Sequence, residues 1–170
     1  ALGAVLLQVL TAYLFVEYFF LTEKYFSPYI ARFGLWMVCA VGIISATLSL
    51  IYSEFFGFVP CGLCWLERGF LYNLTILSGI ALLRKYSGVR DTAIADYGIG
   101  LSSIAAVVAL YHHYIQMGGS ELVVCPTAGI GADCVQRLVF EFGYMTFPLM
   151  SFTAFIFFIV VFLIYRKSRS

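Results

Sequence analysis

Charged residues fall in a few clusters along this chain, and five long apolar stretches run between them. The first covers Leu2 to Leu21, with Glu17 its one charge. The second runs from Phe33 to Ser53, and the third from Cys61 to Leu83, crossing Glu67 and Arg68. The fourth runs from Tyr97 to Gln116, and the fifth from Phe142 to Tyr165. Each has about the 20 residues that a helix needs to cross a bilayer. A backbone in lipid must satisfy its own hydrogen bonds, so spanning stretches fold as helices. Barrel strands are shorter and alternate apolar with polar residues, a pattern absent from these stretches. The pattern predicts an all-α, polytopic membrane protein of one domain with five transmembrane helices. The first stretch lacks a basic leading region and an Ala-x-Ala site, so it is read as a retained helix rather than a cleaved signal.

Composition agrees. The chain has 170 residues, 62% hydrophobic and 11% charged, and a mean hydropathy of +0.97. Soluble domains carry about 25% charged residues. So few charges cannot cover a water-soluble surface, which excludes a soluble enzyme and a disordered chain. A net charge of +1 excludes a nucleic-acid binder.

The few cations set an orientation. Lys24 and Arg32 lie in the first link, Arg84, Lys85 and Arg90 in the third, and Arg166, Lys167 and Arg169 in the tail. All eight fall on one side, leaving Arg68 and Arg137 for the other. Basic residues concentrate on the cytoplasmic side. The tail, residues 166–170, is therefore expected in the cytoplasm. Cys61, Cys64, Cys125 and Cys134 are expected outside, where disulfides persist.

The link between the fourth and fifth helices is the largest piece outside lipid. It contains Gly118-Gly119-Ser120, Cys125-Pro126 and Gly129-Ile130-Gly131. Val135, Leu138, Val139 and Phe142 then recur at helical spacing with Gln136, Arg137 and Glu141 between them. This spacing predicts either a short amphipathic helix on the membrane surface or an extension of the fifth helix.

The sharpest motif is Pro60-Cys61-Gly62-Leu63-Cys64-Trp65-Leu66-Glu67-Arg68. Cys-x-x-Cys brings two sulfurs together over one helical turn, and the positive end of a helix dipole favours their thiolates. Arg68, four residues after Cys64, falls on the same helical face. An arginine in lipid is costly and commonly functional. It can stabilise a thiolate or charge developing on an acceptor; the bland alternative is an ion pair with Glu67 or lipid phosphate. Cys125 and Cys134 are spaced for a loop-closing disulfide. Two pairs on one face suggest a relay by thiol–disulfide exchange, whereas a lone loop pair is as readily a staple. A four-cysteine zinc site would favour two compact knuckles, and only one pair is compact, so no metal is expected. Cys39, alone in the second helix, reads as a packing residue.

His112 and His113 lie near the same end of the fourth helix. Neighbouring helical residues point about 100° apart, so the two cannot share one metal, but either can donate a hydrogen bond or proton to an electron acceptor. A dithiol in a membrane has to discharge two electrons, and a lipid-soluble quinone takes two electrons and two protons. Trp65, Arg68 and His112 or His113 could furnish its apolar wall, cation and donor.

With these residues the chain resembles the DsbB family of membrane disulfide-generating quinone reductases, in its BdbC-like branch. The resemblance rests on Cys61-x-x-Cys64 followed by Glu67-Arg68, a helix, a basic link, and the later pair Cys125/Cys134. The segment Phe142-Gly143-Tyr144-Met145-Thr146-Phe147-Pro148-Leu149-Met150-Ser151 also looks like the start of the last helix in BdbC-like members. It covers about Phe33 to Tyr165. The resemblance implies a four-helix core over residues 33–165. It implies that Cys61 and Cys64 are the quinone-proximal pair, Cys64 being the sulfur that meets the ring, with Arg68 at the quinone and one of His112 and His113 nearby. Cys125 would join an extracytoplasmic thioredoxin-like, DsbA-like donor, with Cys134 as its partner. The cofactor would be ubiquinone or menaquinone and the location a bacterial inner membrane. Vitamin K epoxide reductases are less similar, because their loop cysteines precede the Cys-x-x-Cys. The family has four helices, so the helix in residues 1–32 is an addition, placed to dock to another membrane subunit. It motivates a competing expectation, an accessory subunit of a respiratory or photosynthetic complex whose disulfides are staples. The same exchange run in reverse, as a reductase, is a third.

Overall fold

The computed structural model describes residues 2–20, 27–57, 59–87, 92–120, 134–135, 140 and 142–169. Five helices, α1 Leu2–Phe20, α2 Ser27–Glu54, α3 Gly62–Tyr86, α4 Ala93–Gln116 and α5 Phe147–Arg169, form its architecture, with no strand among the described residues. Among the described residues three segments are both long and apolar enough to cross a membrane: Arg32–Glu54, Ala93–Gln116 and Phe147–Lys167. Gly3–Phe19 is apolar but shorter. The 25 residues of α3 reach about 37 Å at 1.5 Å per residue, but Glu67, Arg68, Arg84 and Lys85 make it the least apolar of the five.

Helices α2, α3, α4 and α5 form a closed ring in which each packs against its neighbours, and α1 lies on α5. Its Gln8 donates to Thr153 Oγ1 at 3.2 Å. The core centres on α5, whose Phe155, Phe157, Phe158 and Phe162 are fully buried. Gly98 allows α4 to close on this helix: a Cβ there would meet the Phe162 ring at 2.7 Å. Cys39 of α2 contacts Ser78 Oγ of α3 at 2.9 Å and packs beside the core, as expected of a small packing residue.

The fifth helix begins later than its apolar pattern suggests. Phe142 and Gly143 have φ of 54° and 75°, a left-handed conformation that a right-handed helix does not continue through. Thr146 starts α5 instead, accepting from Leu149 N at Oγ1 (3.4 Å) and from Met150 N at its carbonyl (3.1 Å). Val135 and Phe142 therefore do not belong to an extension of α5. The expected amphipathic helix rests on positions 136–139 and 141, outside the described residues.

Candidate functional site

The site assembles at the start of α3. Cys61 is the N-cap, with extended backbone (φ −69°, ψ 170°), and its sulfur accepts the Cys64 amide at 3.4 Å. The cap leaves Cys64 in the first turn and the two Sγ atoms 2.9 Å apart. Cys39, Cys61 and Cys64 are free thiols, whereas Cys134 is disulfide-bonded. Cys125 lies outside the described residues. Cys134 is buried with Cys61, Leu63 and Ile115 in one small apolar cluster, against which Cys64 also packs. A cysteine of the loop thus meets the Cys-x-x-Cys across more than 60 residues of chain.

The two thiols face different surroundings. Cys61 faces α4, where His112 Nε2 lies 3.7 Å from its sulfur. His112 Nδ1 contacts Glu67 Oε1 at 2.7 Å, and both side chains are buried, 1% and 8% exposed. A carboxylate only accepts, so with Glu67 ionised the imidazole proton sits on Nδ1 and the Nε2 lone pair turns to the thiols. Gln116 Nε2 approaches that same Nε2 at 3.4 Å. Glu67 was expected as the alternative partner of Arg68; it pairs instead with the histidine one helix away.

Cys64 faces a cavity of about 200 Å³ between α2, α3 and α5. Arg68 and Glu67 share its wall, with apolar groups from Leu48, Leu71, Met150 and Phe155. The guanidinium is held by α2: Nε donates to Ser49 Oγ at 2.7 Å, Nη2 to the Ser49 carbonyl at 2.8 Å, and Nη1 to Ser53 Oγ at 3.3 Å. These use three of the five N–H groups a guanidinium carries. Donors remain for an oxygen in the cavity.

Of the side chains expected about an acceptor, Cys64 and Arg68 line this cavity, and Trp65, His112 and His113 do not. Trp65 is half exposed and carries Arg68 over its ring at 5.5 Å. His113 contacts Thr146 Oγ1 at 2.8 Å, which ties α4 to the start of α5. The serines of α2 had a sequence signal, since Ser45, Ser49 and Ser53 recur every four residues in an otherwise apolar helix. Among the described residues one group has metal-ligating atoms gathered together: Cys61, Cys64 and His112, all within 4.8 Å of one another.

The model of the family described as Disulfide bond formation protein DsbB matches residues 31–165. The chain is 37% identical over 130 residues to the SPbeta prophage-derived disulfide bond formation protein B of Bacillus subtilis (strain 168), covering 76% of this chain and 82% of that protein. It is 33% identical over 135 residues to a probable disulfide formation protein C of Halalkalibacterium halodurans, covering 79% and 92%. It is 28% identical over 140 residues to the disulfide bond formation protein C of Bacillus subtilis (strain 168), covering 81% and 94%. No solved structure matches. The family match begins after α1. A family match that spans the four-helix ring and its paired thiols leads to one conclusion: the chain belongs to the DsbB family, a multi-pass membrane oxidoreductase that forms disulfide bonds.

Proposed function

We propose that the protein takes electrons from a reduced, extracytoplasmic thioredoxin-like protein through Cys125/Cys134 and passes them through Cys61/Cys64 to a membrane quinone. One observation carries the reading: Cys64 and Arg68 share a cavity with apolar walls, while Cys61 of the same pair packs against Cys134. The cations Arg32, Arg84, Lys85, Arg166 and Lys167 at the opposite end support cytoplasmic placement of that end and an external site.

The chemistry is two exchanges. A donor thiolate attacks the Cys125–Cys134 disulfide at Cys125 and releases the Cys134 thiolate. The donor's second thiolate resolves the mixed disulfide, leaving the donor oxidised and the loop pair as a dithiol. That dithiol then reduces a Cys61–Cys64 disulfide, restoring its own bond and leaving two inner thiols. Free thiols at Cys61 and Cys64 with Cys134 disulfide-bonded correspond to this last state. Quinone, when bound, accepts two electrons and two protons. Arg68, fixed by Ser49 and Ser53, holds positive charge beside Cys64, and the apolar walls exclude water. His112, oriented by Glu67, stands ready to take the Cys61 proton.

The test is quinone reduction by the purified protein fed a reduced thioredoxin-like donor. Turnover is expected to vanish in Cys61→Ser and in Cys64→Ser; turnover retained by either variant overturns the mechanism.

A further inference from the structure

Cys61, Cys64 and His112 hold two sulfurs and one imidazole nitrogen within 4.8 Å of one another. We propose that the reduced site is also a binding site for a soft divalent cation such as Zn²⁺, which arrests the enzyme by holding both thiols as thiolates.

The donor set suits such an ion, since thiolate and imidazole are its usual protein ligands. The imidazole is already arranged for ligation. A metal-bound histidine characteristically donates its other ring N–H to a carboxylate, and Glu67 Oε1 lies 2.7 Å from His112 Nδ1. That leaves the Nε2 lone pair on the side of the sulfurs, 3.7 Å from Cys61 Sγ. Tetrahedral zinc with bonds of about 2.3 Å to sulfur and about 2.0 Å to nitrogen sets its ligand atoms about 3.5–3.8 Å apart. The His112–Cys61 distance already agrees. The sulfurs, at 2.9 Å, have to part by roughly 1 Å to reach that spacing, a side-chain rotation at Cys64. Gln116, now 3.4 Å from Nε2, has to turn aside.

Charge also favours the ion. Two thiolates, a neutral imidazole and a divalent cation sum to zero, so the buried site gains no net charge. Three protein ligands leave a fourth position for water. Binding releases the two thiol protons and transfers no electrons: two thiols and M²⁺ give a bis-thiolate complex and two H⁺. A thiolate held on the metal cannot form the Cys61–Cys64 disulfide, so turnover stops until the ion leaves. The ligand set differs from a four-cysteine cluster, for which Cys134 has no thiol to offer.

The inference uses the same thiols as the proposed function but not their redox role. Co²⁺ is the probe, titrated in detergent after phosphine reduction into the full-length chain carrying Cys125→Ser and Cys134→Ser, because phosphine would otherwise open the loop disulfide and free Cys134 beside Cys61; turnover is read on the unsubstituted protein. The expected result is one Co²⁺ per chain with a thiolate-to-cobalt absorption band, and two protons released per ion. The same protein with Cys61 and Cys64 oxidised to a disulfide should show no band, a control in which every side chain is retained. Cys64→Ser should halve the band, and His112→Gln should weaken binding at least about tenfold, as should Glu67→Gln through the lost outer contact. Zn²⁺ should displace Co²⁺, inhibit turnover in the same concentration range, and be reversed by chelator. Absence of the band in the reduced protein overturns the site, and so does a band equal in reduced and oxidised protein. Unchanged affinity in His112→Gln overturns the ligand set. Quinone reduction by metal-free protein is read separately, so a failed titration with normal turnover rejects the metal site alone.

Discussion

The two ends of the bundle use charge in opposite ways. At the end opposite the cysteines, Arg166 meets Asp96 at 3.1 Å with both side chains about half exposed, and the half-buried Lys85 reaches the Arg32 carbonyl. At the cysteine end Glu67, Arg68 and His112 are buried, and each has a partner on another helix. Exposed ion pairs contribute little because water screens them. Buried ones are costly to form and costlier to break, because removing one partner strands the other. The exposed end can orient a chain in a membrane through its sign alone. The buried end can hold a reactive group at a fixed distance.

Substitutions at the two ends should separate these roles. The largest effect is expected at the thiols: loss of either Cys61 or Cys64 should lower turnover by about 10³-fold or more, as for removal of a nucleophile, read from quinone absorbance. Next comes Glu67→Leu, which strands the His112 imidazole; a loss of about 3 kcal/mol of stability is expected, measured by denaturation in mixed micelles. A loss below that of Asp96→Ala would erase the contrast between the ends. Ser49→Ala removes the acceptor of Arg68 Nε and should cost about 1–2 kcal/mol at the cavity. It should raise KM for quinone roughly tenfold while donor-dependent exchange at Cys125/Cys134 stays normal; an unchanged KM would detach Arg68 from the acceptor. Thr146→Ala, which uncaps α5, should cost about 1 kcal/mol of stability. Smallest is Asp96→Ala, at about 0.5 kcal/mol or less and weaker still in high salt.

Much of this contrast can be read along the chain, and the remainder only across it. Apolar length finds the helices, and Cys64 with Arg68 four residues later defines one face of α3, because both features are local in sequence. Glu67 and His112 are 45 residues apart. Nothing local says that a glutamate next to an arginine will turn to a histidine on α4, since that depends on how α3 and α4 pack. The choice between His112 and His113 depends on the same rotation: one ring faces Cys61 and the other Thr146. The start of α5 escaped for another reason. Hydropathy does not register backbone handedness, and Phe142 continues the apolar run while its φ is already positive. Gly143 was the available signal. The serines at 45, 49 and 53 were visible as a stripe, but serine is common enough in apolar helices that only the Arg68 contacts give them meaning.

Cys61 holds two posts at once, since its sulfur is both a member of the reactive pair and the cap of α3. A charged sulfur accepts an amide proton more strongly than a disulfide sulfur does. Once Cys61 gives up its proton, the grip on the Cys64 N–H should tighten, and it should slacken when the pair closes to a disulfide. Hydrogen exchange at that single amide should then slow when the pair is reduced and deprotonated and quicken when it is oxidised.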